Sequence, residues 1–360
     1  MNLKPDFNRF LAAVNHRETD RVPLGEILID YSVQSKFLGR TVTVDDLAGQ
    51  VEFWAKAGYD FIPITVSMMS PGKVTEESKI TRVLKEMVLR EKPGTTDPKA
   101  WNLEMTSFIH ERPDIAKFPW EAAADIDFSK LHAVKKLLPP GMKVIAISGK
   151  IFTLTWMLMG FNNFALKLAL DESFVAEVFE RVATIQFKAL ETIFAMDHVA
   201  GVWVVDDIAF GTGPMISPAA LKKHVFSWYK KVGERCHERN RIFLMHSDGD
   251  LSTLMDDLIA MDLDVIQPID PSCMDMAKVK KQWGDRLCLI GNVSNELLRS
   301  ATTQEIEARV KELLRDAAPG GGFALGSGNS VPNWAKYENY LAMRDACLKH
   351  GGYPIKHNLS

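Results

Sequence analysis

Apolar runs bounded by turn residues recur eight times along the chain, over residues 22–30, 59–66, 143–148, 201–207, 241–248, 264–269, 286–291 and 322–325. Most are near-continuous, the pattern of strands covered on both faces. Between most of them the spacing becomes helical. Ser217-Pro218 sets an N-cap followed by proline at the first helical position, and Leu221, Val225, Trp228 and Val232 then form one apolar stripe. Thr302-x-x-Glu305 predicts a capping box ahead of Ile306, Val310 and Leu313. Residues 164–196 are long enough for two helices or one. A strand–helix alternation repeated eight times predicts an α/β fold of the (β/α)8 TIM-barrel type in preference to a doubly wound sheet.

Residues 67–142 break the rhythm. The stretch beginning Thr81-Arg-Val-Leu-Lys-Glu alternates like an exposed antiparallel hairpin, and Phe118-Pro-Trp120 follows in a Pro-rich loop. This reads as an insertion between the second and third strands of a single domain spanning residues 1–360, forming a lid or wall at the barrel mouth.

Composition narrows the class. A chain of 360 residues with 46% hydrophobic content can fill one barrel with insertions. A formal charge of −3 offers no basic footprint, so nucleic acid is excluded as a partner. No apolar run approaches the roughly 20 residues that cross a bilayer, and the mixed start Met1-Asn-Leu-Lys is unlike a signal peptide. Cys236, Cys273, Cys288 and Cys347 lack paired spacing, which suits a reducing compartment and makes no structural zinc cluster. The expected location is cytoplasmic.

Candidate chemistry sits at the strand ends, where β/α folds place their sites. His246-Ser-Asp248-Gly249 closes the fifth run, and residues i and i+2 of a strand share a face. The plainer alternative is a turn whose Asp248 and Ser252 cap the next helix. Glu26 interrupts the first run, where an unpaired carboxylate is costly. Asp206 and Asp207 close the fourth; facing opposite ways, only one of them reaches the centre. Gln267 lies in the sixth, Asn292 follows the seventh and Asn329 the eighth. The catalytic candidates are His246, Asp248, Glu26 and Asp207. The substrate-binding candidates are Asp206, Gln267 and Asn329, with Trp203, Phe210 and Trp334 either lining an apolar pocket or belonging to the core. No P-loop, dinucleotide-binding loop or Gly-x-Ser-x-Gly elbow stands in the required context.

Several of these stretches, read in order, resemble the uroporphyrinogen decarboxylase superfamily. They are Asn15-His-Arg-Glu-Thr-Asp-Arg-Val-Pro23, Phe118-Pro-Trp120 with Asp125-Ile-Asp127, His246-Ser-Asp-Gly249, Gln267-Pro-Ile-Asp-Pro271, and Gly326-Ser-Gly-Asn-Ser-Val-Pro332 followed by Glu338-Asn-Tyr340. The resemblance covers essentially the whole chain and implies a (β/α)8 barrel. The decarboxylases themselves carry an Arg-rich loop after the first strand, whereas this chain reads Tyr31-Ser-Val-Gln-Ser-Lys-Phe-Leu-Gly39 without arginine. A tetrapyrrole bearing eight carboxylates would need cationic anchors.

The superfamily's other arm comprises methyltransferases that work with corrinoid proteins. Those acting on thiols hold zinc with a His-x-Cys pair and a second Cys; here Asp248 and Ser327 stand at or near the two thiolate positions. The resemblance therefore implies corrinoid-dependent O-demethylation: transfer of a methyl group from a methyl ether, an aryl one by the aromatic mouth, to the cobalt of a corrinoid (cobalamin) on a partner protein. His246 and Asp248 would supply a proton or two ligands for zinc, with Glu26 or an aspartate of the fourth strand as the third. This chain lacks an Asp-x-His-x-x-Gly corrinoid-binding signature of its own. The alternatives are a decarboxylase of a smaller carboxylic acid, a methylcobamide:thiol methyltransferase, and a non-catalytic binding protein. A homodimer is neither supported nor opposed.

Overall fold

The computed structural model describes residues 3–66, 68 and 107–355. Seven parallel strands form one sheet: β1 (Phe61–Thr65), β2 (Lys143–Ile147), β3 (Val199–Val205), β6 (Ile242–His246), β7 (Val265–Gln267), β8 (Cys288–Val293) and β9 (Phe323–Ser327), paired in that order. Each is followed by one or more helices, which cover the outer face, while side chains from the staves fill the inner one, so the strands are apolar throughout. This is a TIM-barrel fold.

The eighth stave departs from the expected regular strand. Residues 22–30 lie along β9 through isolated bridges, Leu24 with Leu325 and Ile29 with Val331. Gly25 donates its N–H to the Leu325 carbonyl at 2.8 Å, and Leu325 donates to that of Pro23 at 3.0 Å. Pro23 has no N–H to offer a ladder. On the stave's other side, no backbone ladder joins it to β1 among the described residues. The barrel therefore has a seam between its first and second staves.

Inside the staves, Ile27, Phe61, Ile145, Trp203, Leu244, Val265, Ile290 and Ala324 pack together. The helix Phe7–Val14, absent from the sequence reading, closes the base of this core. Its Phe10 is fully buried, with its ring centroid 4.8 Å from that of Phe61.

Helix boundaries follow their capping chemistry. Residues 164–196 resolve into Phe161–Leu170 and Glu172–Phe194, parted at Asp171, whose carboxylate accepts from the Phe174 N–H at 3.1 Å. Ser217 and Thr302 cap as their motifs predict. A π-helical turn, Lys222–Phe226, interrupts the helical stripe that begins at Leu221.

The proposed hairpin around Thr81 lies outside the described residues. Residues 107–142 form short helices, among them Arg112–Lys117 and Trp120–Ala124, whose Ile115, Phe118 and Ala123 are buried in the outer core. No helix among the described residues is long and apolar enough to cross a membrane.

Candidate active site at the barrel mouth

β6 delivers His246 at its last position, nearly buried at 6% side-chain exposure. The chain then turns at Gly249, where φ is +91° and a Cβ would lie 2.6 Å from the Phe210 carbonyl oxygen. That contact belongs to a small hairpin, β4 (Ala209–Phe210) with β5 (Gly213–Pro214), which packs over the turn. Only glycine meets both demands. The Asp250 N–H donates to the same Phe210 carbonyl at 2.9 Å, so turn and hairpin are locked together.

The imidazole is held by its neighbours. His246 Nδ1 lies 2.6 Å from Gln267 Oε1, while Gln267 Nε2 donates to the Asn329 carbonyl at 2.6 Å. A carbonyl only accepts, so it fixes which end of the amide faces the ring. Gln267 must then accept, and His246 Nδ1 carries the proton. The Nε2 lone pair is left pointing at two carboxylates, Asp207 Oδ1 at 3.8 Å and Asp248 Oδ1 at 3.7 Å.

The carboxylates are fixed in turn. Asp207 Oδ1 accepts from the Asp248 N–H at 3.0 Å, and Asp248 Oδ2 accepts from Asn329 Nδ2 at 2.5 Å. Asp248 Oδ1 is buried and accepts no hydrogen bond. Burial raises the Asp248 carboxyl to about 6; Asp207 and Asp270 push the same way, and His246 opposes them. Asp270 was not singled out from sequence, although it too follows a strand end. Its Oδ2 accepts from the Gly249 N–H at 3.2 Å.

One donor atom each from Asp207, His246 and Asp248 falls within 4.8 Å of the others. Tetrahedral zinc with ligands at roughly 2.1 Å separates its donors by about 3.4 Å. The separations at Nε2 are a few tenths of an ångström wider. A free imidazole lone pair and an orphaned carboxylate oxygen, converging with an open fourth side, fit a divalent metal with three protein ligands. The Gln267 contact is the outer hydrogen bond that such a histidine ligand requires.

Other candidates are placed elsewhere. Glu26 does not reach this cluster. Gly25 and Ile27 face the inner core, so Glu26 points outward between sheet and helices. There its carboxyl accepts from the Ser327 N–H at 2.6 Å and the Ser327 hydroxyl at 2.7 Å. Burial lifts Glu26 to about 8 despite both bonds.

Asp206 is also turned away from the mouth. Fully buried, it accepts from the N–H groups of Ile151, Phe152 and Thr153 at 2.7–2.9 Å and from the Tyr229 hydroxyl. It anchors the start of the helix Phe152–Met159 and has no capacity left for a substrate.

Trp203 is core, fully buried against Phe61. Gln267 is likewise fully buried, and serves His246 in place of a substrate. Asn292 braces β8, donating to the Ile269 carbonyl and accepting from Arg309. Asn329 reaches the site by holding Asp248. Phe210 and Trp334, each about half exposed, follow the mouth ends of β3 and β9.

Among comparisons with known proteins, the family model for uroporphyrinogen decarboxylase (URO-D) matches residues 117–350. Among solved structures, a methyltransferase from Methanosarcina mazei superposes with a TM-score of 0.65 at 16% identity, covering 97% of this chain and 99% of its own. Identity that low speaks for the fold alone. No curated protein matches.

Proposed function

The chain belongs to the uroporphyrinogen decarboxylase family, and on that premise we propose that it is a methyltransferase that takes a methyl group from a methyl ether, an aryl methyl ether by preference, and passes it to the cobalt of a corrinoid on a partner protein. The observation that carries this reading is the convergence of His246, Asp207 and Asp248 at the mouth. The structural neighbour from Methanosarcina mazei, a methyltransferase, agrees with it.

Breaking an ether C–O bond leaves an alkoxide or phenolate, a poor leaving group unless its oxygen is protonated or bound to a Lewis acid. Zinc held by His246, Asp207 and Asp248 would supply the Lewis acid. The residues also do work of their own. Gln267 keeps the Nε2 lone pair directed at the reaction centre, and Asn329 keeps Asp248 facing it. Phe210 and Trp334 give the rim an apolar surface suited to an aromatic ring.

Thiol methylation fits less well, because the hard oxygen donors Asp207 and Asp248 replace soft thiolates and Ser327 is engaged by Glu26. The test is methylation of a reduced corrinoid partner protein by methoxyaromatics, followed spectroscopically. Methylation from another donor but from no ether would remove the substrate assignment. Carbon dioxide release without any corrinoid would replace it with a decarboxylase. Metal content gives a second readout: protein prepared without added zinc should carry it near stoichiometrically, and His246→Ala should lose both metal and turnover while keeping its fold.

A further inference from the structure

Two cavities open at the mouth, and they carry opposite charge. One, about 270 Å³, lies beside the candidate centre and includes Asp248, Asp270 and Glu296 in its wall, with no lysine or arginine among the described lining residues. The other, about 210 Å³, sits at the seam between the first stave and β1. Its described lining contains one cation, Lys130, and no carboxylate. Lys130 is half-buried and makes no ion pair among the described residues. Beside it are the Tyr31 ring and apolar walls from Ile27, Trp54 and Ile147.

From these features we infer that the seam cavity is a subsite for the carboxylate of a small single-ring acid, with Lys130 as its charge anchor. Size sets the ring count, since about 150 Å³ is enough for benzene in an apolar protein cavity. The remaining volume admits one or two small substituents. Charge sets the head group: one ammonium, without arginine, matches one negative charge. A phosphate dianion would call for more donors.

Position sets the subsite apart from the candidate centre. The seam lies between staves one and two, while His246 ends stave five, across the ring of eight. No residue lines both this cavity and the one beside the candidate centre, and His246 is in the described lining of neither.

Calorimetry without any corrinoid tests the subsite separately from the reaction. The probes are 4-methoxybenzoate and its neutral counterpart 4-methoxybenzyl alcohol. The acid is expected to bind at least about tenfold tighter at low salt, with the preference shrinking in 0.5 M salt as screening requires. Lys130→Gln should abolish the preference, Lys130→Arg should keep most of it, and Lys135→Gln should leave it intact. Equal affinity for acid and alcohol, a preference that survives Lys130→Gln, or no binding of either probe would overturn the subsite. None of these results depends on methyl transfer, so failure of the proposed reaction leaves the subsite standing.

Discussion

At the residue scale, the side chains with the greatest leverage on the candidate centre touch no substrate. Gln267 sets the proton on His246 Nδ1 only because its own amide is pinned by the Asn329 carbonyl. Gln267→Leu keeps the volume and removes both bonds. Metal affinity or turnover should fall about 10- to 100-fold, the usual consequence of losing a partner behind a ligand. A thermal melt checks that the barrel is retained, and metal titration separates this role from a packing role. Glu26 offers a different test. Its folded pKa, near 8, lies above its ordinary value of 4.5. Between those two pH values the unfolded chain has released the proton and the folded one has not, so Glu26 costs stability as pH rises, levelling off above 8. Glu26→Gln, which can still bond Ser327, should remove that slope. Denaturant midpoints from pH 5 to 8.5 should decline less in the variant than in the parent.

At the element scale, the strand ends were legible and the facing of the first stave was not. Hydrophobic runs located all seven regular strands to within a few residues, because strands buried on both faces must be apolar throughout. The same property hides orientation: a run without alternation does not say which residues turn inward. Glu26 was therefore placed in the centre when Gly25 and Ile27 in fact face it. The two aspartates after β3 raised the same question of facing; Asp206 turns to the helix Phe152–Met159 and Asp207 to the mouth. The β4–β5 hairpin over Gly249 left only short Gly-Pro signals, too local to assign a packing partner. The helix Phe7–Val14 was missed because the reading began from strands, yet its Phe10 completes the inner core. Phe10→Ala should cost about 3–5 kcal/mol by the cavity it leaves. Urea unfolding measures this, and a loss under about 1 kcal/mol would show that the base tolerates an open plug.

At the scale of the whole molecule, the fold resolves what composition left open, namely which polar groups share a site. Eight staves bring residues as distant as Asp207 and Asn329 to the same residue, Asp248, one on its backbone N–H and the other on its carboxylate. No motif in the chain encodes that meeting, and it becomes visible only when the ring closes.

The plug at the base has one more consequence. A barrel sealed at its base is entered from its mouth, so on the proposed reaction a small donor and a bulky corrinoid carrier would use the same opening in turn. Traffic of that kind is ordered: donor first, carrier second, with a carrier docked too early blocking the way. On the proposed reaction, initial rates should fall at high carrier concentration when the donor is scarce, and excess donor should relieve the block.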